Sequence, residues 1–316
     1  MGTLAVVAIG GNSLIRDQGH LTVEDQYRAV CETAFHIAGM TARGYGVVIT
    51  HGNGPQVGFI LRRSEIATYV AAMHRVPLVS CVADTQGSIG YQIQQAMDNE
   101  FRRRRLGSAA VTVITQVVVA AGDPAFQKPD KPIGSFCTQE EAVRIAKDNP
   151  DWIMVEDAGR GWRRVVPSPR PREIVEKDVI RDLAGAGYCV IAAGGGGVPV
   201  VRAADGTLTG VDAVIDKDLA ASLLAAAVNA DLLVISTAVP GVYLDYGRPG
   251  ARLLPAANLA ELKRYAAEGH FAAGSMLPKI QAVISFLENG GQRACITDPA
   301  ALEEAVAGRA GTQLYP

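Results

Sequence analysis

Three short apolar runs each end in a glycine-rich turn. Leu4–Ile9 precedes Gly10-Gly11-Asn12, residues 46–50 precede His51-Gly52-Asn53-Gly54, and residues 188–193 precede four glycines at 194–197. An unbroken apolar run of this length, without polar alternation, marks a strand buried on both faces, as in a parallel sheet. Between the runs, apolar residues return at helical spacing, as at Tyr27, Val30, Cys31, Ala34 and Ala38. Strand-helix alternation predicts an α/β chain, a three-layer αβα arrangement around an open, mainly parallel central sheet. Ligands of such sheets bind beyond the carboxyl ends of the strands, which is where the glycine turns fall.

The rest of the chain extends the pattern. A helix is predicted over 85–105, a strand over 109–119, a helix over 173–186, a helix over 216–229 and a strand over 231–236. Helices over 258–268 and 278–289, a strand over 293–297 and a last helix from about 300 follow. The rhythm breaks between about 122 and 172, where KPDKPIG precedes two short strands around residues 159–161. That stretch reads as a small protruding subdomain, and long excursions of this kind often bind ligands. The expected division is an N-terminal lobe over 1–205, carrying the excursion, and a C-terminal lobe over 206–316.

Composition removes several function classes. The formal charge of −2 over 316 residues provides no global field for nucleic acid. The arginine run at 102–105 reads as a solvated helix end. Five scattered cysteines without a CxxC pair and five scattered histidines do not predict a structural zinc site. The odd cysteine count and the lack of a signal-peptide pattern lead to the expectation of a reducing, cytoplasmic compartment. No apolar stretch approaches the roughly 20 residues of a membrane helix.

Seven lysines stand against 23 arginines, and three sit beside turns: Lys131 in KPIG, Lys217 in VIDKD and Lys279 in GSMLPK. Compact ammonium charges and exposed backbone N–H groups are what holds phosphates and small carboxylates. Asp216 suits a helix N-cap and is placed to orient Lys217. Asn53 offers a donor for a carboxylate, and His51 reads as a structural hydrogen-bond partner ahead of a base. Four consecutive glycines suggest close backbone approach to a phosphate. Neither GxGxxG opening a helix nor GxxxxGK[ST] occurs, so dinucleotide and P-loop folds are disfavoured. The pattern points to phosphoryl transfer.

The segments AIGGNSL, THGNGPQVG, CVADTQGSIGYQIQQ, DKPIGSF, DAGRGWRRVVPSPRP, AAGGGGVPV, VDAVIDKDLA, TAVPGVYLDYG, EGHFAAGSMLPKIQA and FLENGGQRACIT, in order, resemble the carbamate kinases of the amino acid kinase superfamily. The resemblance implies reversible phosphoryl transfer between ATP and carbamate with Mg²⁺, in a homodimer, often running from carbamoyl phosphate and ADP toward ATP. It implies that Gly10, Gly11, Asn12, Gly52, Asn53 and Gly54 surround the carbamate. Lys131, Lys217 and Lys279 are then the catalytic cations, with Asp216 organising them. Gly195, Gly196, Ala238, Val242, Tyr243, Gly274 and Met276 are assigned to the nucleotide.

The chain departs from commoner family forms at Ser13, Asp84, Ser88, Ser135, Cys137, Pro240 and Leu277. The last of these, a leucine where glycine is usual, bears on the nucleotide loop. Two other readings fit the same residues. One is a kinase of this fold acting on another small carboxylic acid, and the other is a non-catalytic nucleotide-binding paralogue.

Overall fold

The computed structural model describes residues 2–10, 14, 22–157, 159 and 161–316, with the side chain of Ser135 left out. Gly11, Asn12, Ser13 and Arg160 therefore lie outside the described residues.

The strand Leu4–Ile9 explains the architecture. Ala5, Val7 and Ile9 belong to one core cluster, and Val6 and Ala8 to another on the opposite face. The same alternation holds in Leu232–Ser236, where Leu232 and Val234 face one layer and Leu233 and Ile235 the other. With both faces apolar, the sheet must be covered twice. On one side lie helices Val23–Ala42 and Leu78–Arg104, through Val30, Ile37, Ile93 and Phe101. On the other lie Lys217–Ala227 and Met276–Glu288, through Leu224, Ile280 and Phe286. Each fully buried Val or Ile contributes about 1.5–3 kcal/mol, so truncating Ile49 to alanine at the sheet centre costs roughly 2–5 kcal/mol.

Among the described residues the central sheet has eight strands. In order they are Ala256–Asn258, Thr312–Tyr315, Arg293–Thr297, Leu232–Ser236, Leu4–Ile9, Gly46–His51, Cys189–Ile191 and Ala110–Thr112. Six of the seven pairings are parallel, and Arg293–Thr297 against Thr312–Tyr315 is antiparallel. The α/β reading of the sequence holds.

Two element boundaries differ from expectation. The apolar run 109–119 is two strands, Ala110–Thr112 in the central sheet and Gln116–Val119 in a second, four-stranded sheet. The switch is fixed at buried Thr115. Its N–H donates to Gln86 Oε1 at 2.7 Å, and Gln86 Nε2 donates to its carbonyl at 3.0 Å. The helix expected from 173 begins only at Lys177, because residues 173–174 belong to the strand Pro171–Ile174, antiparallel to Gln116–Val119. Glu176 holds that change by accepting from Gln116 N and Nε2 at 2.7 and 2.9 Å. A terminal strand, Thr312–Tyr315, follows the last helix and pairs antiparallel with Arg293–Thr297.

The excursion contains a three-stranded antiparallel sheet, ordered Lys131–Cys137, Trp162–Val166 and Ile153–Glu156, and the helix Gln139–Asp148. Its strand Lys131–Cys137 packs on helix Gly54–Ala71. A Cβ placed on Gly58 would stand 2.6 Å from Gly134 Cα, and Gly134 itself has φ +77°. Two glycines thus let the backbones touch where the excursion joins the main body.

Candidate active site

Three helices start at one place. Gly54, Lys217 and Met276 open the helices Gly54–Ala71, Lys217–Ala227 and Met276–Glu288, and all three line one cavity of about 540 Å³. A helix N-terminus presents unpaired N–H groups and the positive end of the dipole, so it favours anions. Neither Asn53 nor Ser275 caps its helix through a side-chain hydrogen bond, so no cap competes for the first-turn amides. Helix Lys217–Ala227 is capped by Asp216, whose Oδ1 accepts from Asp218 N at 2.9 Å and Leu219 N at 3.4 Å.

The three lysines meet in this cavity. Lys131 Nζ donates to Asp216 Oδ2 at 2.8 Å. Lys217 and Lys279 both donate to Asp218, at 2.5 Å and 3.0 Å. The Asp218 side chain is 4% exposed. Burial acts to raise its carboxyl, but the two ammonium groups outweigh burial and hold the pKa down to about 2. Three cations on two carboxylates leave one net positive charge in a partly desolvated cleft. The organising role assigned to Asp216 is therefore divided: Asp216 caps the helix and holds Lys131, while Asp218 holds the other two. The sequence displayed Asp218 in VIDKD, but nothing there distinguished it from a first-turn helix acid.

Of the other residues singled out, Gly52, Asn53, Gly54, Gly195, Ala238, Tyr243, Gly274 and Met276 line the cavity. Gly10, Gly196 and Val242 do not. Gly10 ends its strand beside Ser236, whose carbonyl oxygen would be 3.2 Å from an added Cβ. Val242 is fully buried, and its N–H donates to Thr312 Oγ1 at 2.8 Å. It sits beneath the pocket and carries Tyr243.

The tetraglycine turn has a packing cause. An added Cβ would stand 2.2 Å from His51 Nε2 at Gly194, 2.2 Å from Asn53 Nδ2 at Gly195, 2.4 Å from the Ile215 carbonyl oxygen at Gly196 and 2.1 Å from Val117 Cγ2 at Gly197. Neighbouring side chains and backbone demand the glycines, and Gly195 alone of the four reaches the cavity. His51 is 1% exposed, with Nδ1 2.9 Å from the Gly52 carbonyl oxygen. Burial pushes its pKa down to about 4, so it is neutral and serves as packing and a local hydrogen-bond donor. Asn53 Nδ2 donates to Thr85 Oγ1 at 2.8 Å, which fixes its amide at the cavity wall.

One end of the cavity is more apolar. Ala238, Val239, Tyr243, Phe271 and Met276 line it with Tyr246 and His270. Tyr243 and Tyr246 meet edge to face at 5.5 Å, and His270 lies between Asp245 at 3.0 Å and Glu268 at 3.1 Å. Tyr246 and His270 lie in the segments TAVPGVYLDYG and EGHFAAGSMLPKIQA, but nothing in the sequence singled them out as facing the pocket. Leu277 is accommodated: its N–H donates to the Ala272 carbonyl at 3.1 Å, and its side chain packs on the main core. Among the described residues no group of three His, Cys, Asp or Glu is arranged to hold a metal, and Asp216 and Asp218 are already engaged by lysines. No described helix is long and apolar enough to cross a membrane.

Comparison with known proteins agrees with this geometry. The model of the amino acid kinase family matches residues 3–298. The carbamate kinase-like protein YahI of Escherichia coli is 51% identical over 99% of this chain and 99% of its own. The carbamate kinase of Pyrococcus furiosus is 48% identical over the full length of both. Among solved structures, carbamate kinase from Giardia lamblia bound to AMP-PNP superposes with a TM-score of 0.92, at 43% identity, covering 99% of this chain and 98% of that one.

Proposed function

The chain belongs to the amino acid kinase family, and from that premise we propose that it is a carbamate kinase, interconverting carbamoyl phosphate plus ADP with carbamate plus ATP. The observation that carries the reading is the convergence of Lys131, Lys217 and Lys279 on two carboxylates where three helices begin. Phosphoryl transfer needs its reactants positioned and its equatorial oxygens neutralised, with little covalent help from the protein.

In the direction of ATP synthesis a terminal β-phosphate oxygen of ADP attacks the phosphorus of carbamoyl phosphate. The bond from phosphorus to the carbamate oxygen breaks, and carbamate leaves with the electron pair. No proton has to move, which fits a site whose buried histidine is neutral and tied to backbone. Gly52, Asn53 and Gly54, with the amides opening helix Gly54–Ala71, receive the carbamate end. Lys131 reaches the transferring group from the protruding sheet. Lys217 and Lys279 neutralise nucleotide phosphates, and Asp218 and Asp216 set their positions. Gly195, Ala238, Tyr243, Gly274 and Met276 face the nucleotide, whose base takes the apolar end.

Magnesium belongs to this scheme as part of the substrate. It dehydrates reluctantly and is commonly carried on nucleotide phosphates with several waters, which suits a site without a carboxylate cage. The division into a carbamate lobe over 1–205 and a nucleotide lobe over 206–316 follows the same assignment. We place the enzyme in the cytoplasm, as its five free cysteines suggest. We also propose a homodimer, because Val23 and Tyr91, 68% and 60% exposed, flank one surface groove. Light scattering checks the dimer.

The decisive experiment measures ATP formed from carbamoyl phosphate, ADP and Mg²⁺. Rapid formation that is lost in Lys131→Ala is expected. Absence of ATP in protein that binds ADP overturns the assignment, and a panel of small carboxylic acids then tests for another acceptor.

A further inference from the structure

A second cleft lies behind the strand that carries Lys131. It encloses about 140 Å³ between helix Gly54–Ala71, strand Lys131–Cys137 and helix Gln139–Asp148, and Ile133 is the wall it shares with the reaction cavity. Ile133, Arg164 and Met154 are paired across the three-stranded sheet. Paired side chains share one face, and these three line the cleft.

Arg164 is the unusual member. Its guanidinium lies 4.0 Å over the Trp152 ring, and the Arg75 guanidinium lies 5.1 Å from the same ring centre. Its Nε is buried without a partner, and among the described residues no carboxylate pairs with it. A guanidinium taken out of water without an anion is costly. Burial lowers its pKa, and Arg75 adds to that shift. Asp212 and Glu65 act against that shift from nearby, but neither forms an ion pair with Arg164: Asp212 accepts from Val79 N at 3.1 Å. Glu65 is engaged by Arg62 at 3.5 Å, and Glu141 accepts from Thr138 N at 2.9 Å in a helix cap. Exposed Arg144 adds a further cation to the lining.

We propose that this cleft is a binding site for a small oxyanion, a phosphate or a short carboxylate, held on Arg164 over Trp152 with Arg144 beside it. The bound anion would supply the acceptors that the guanidinium lacks, through charge-assisted hydrogen bonds. The site uses none of the residues assigned to the reaction, so it stands apart from the carbamate kinase reading.

The test titrates inorganic phosphate into the full chain saturated with AMP-PNP and Mg²⁺, so that the reaction cavity is filled. Calorimetry and tryptophan emission are followed at constant ionic strength in sodium chloride. Saturable binding with a change in emission is expected. It should weaken at least tenfold in Arg164→Gln, and equally in Met154→Glu, which places a competing carboxylate on the same face. It should persist in Lys217→Ala. Acetate is titrated in parallel: binding with the same dependence identifies a carboxylate ligand, and binding of phosphate alone identifies a phosphate ligand. The proposal is overturned by a lack of saturable binding in the unmodified chain. It is equally overturned by undiminished binding in folded Arg164→Gln or Met154→Glu, or by loss of binding in Lys217→Ala, which would put the phosphate in the reaction cavity.

Discussion

Lys131 and Asp216 stand 2.8 Å apart across 85 positions of sequence, and their contact ties the protruding sheet to the N-cap of helix Lys217–Ala227. One carboxylate group thus uses one oxygen to start a helix and the other to hold a cation over the cavity. The division of work in this pair, and in its neighbour Asp218, generates separable expectations.

Lys131→Ala should lower turnover by roughly 10²–10³, by analogy with the loss of one oxyanion-hole donor. The lysine side chain is 33% exposed, so the pair contributes no more than about 1 kcal/mol to folding. Steady-state kinetics and a thermal melt check both halves. Turnover close to that of the unmodified enzyme would remove Lys131 from the reaction.

Asp218→Asn should reduce both turnover and stability, whereas Asp216→Asn should chiefly affect turnover and the helix cap. Removing the Asp218 charge leaves two half-buried ammonium groups without their anion, at a cost of about 3–5 kcal/mol if neither can swing to water. The folded pKa of about 2 lies below the ordinary aspartate value. Its stabilisation is therefore complete above about pH 4 and is lost as pH falls from 4 toward 2, amounting to about 2–3 kcal/mol. Denaturant melts across that window should show a steeper decline in the unmodified chain than in Asp218→Asn.

His51 titrates in the opposite chemical sense with the same slope. Its folded pKa of about 4 lies below the ordinary value of 6.5 because burial disfavours the cation. Stability is fully present above about pH 6.5 and falls as pH drops toward 4, since the unfolded chain takes up the proton first. In His51→Asn the decline between pH 6.5 and 4 should flatten. An unchanged profile would show that other groups govern acid unfolding there.

Gly58→Ala should act on turnover at a distance. The new Cβ would meet Gly134 Cα at 2.6 Å, backbone against backbone, so the strand carrying Lys131 has to move. We expect kcat to fall at least tenfold while the KM for ADP changes little, because the nucleotide end is untouched. Equal changes in both constants would point instead to general loosening of the fold.

Much of the fold was legible because local chemistry dictates it. Apolar runs such as Leu4–Ile9 could only be doubly buried strands, and Asp216 read as a cap because its residue type and position suit one. The site was legible where scarce residues sat beside turns, as Lys131, Lys217 and Lys279 do. Legibility failed where the cause was a distant partner. The run 109–119 splits because Gln86, on another element, bonds to Thr115. Val242 belongs under the pocket because Thr312, 70 positions on, takes its N–H.

The sequence by itself determined that this chain would form a doubly covered, mainly parallel sheet with glycine turns at its strand ends, because periodicity, glycine placement and caps are local properties. The tertiary structure alone decided which carboxylate holds which lysine, and why four glycines stand together. Those are matters of through-space distance, set by side chains dozens of residues apart that packing brings to within about 3 Å of one another.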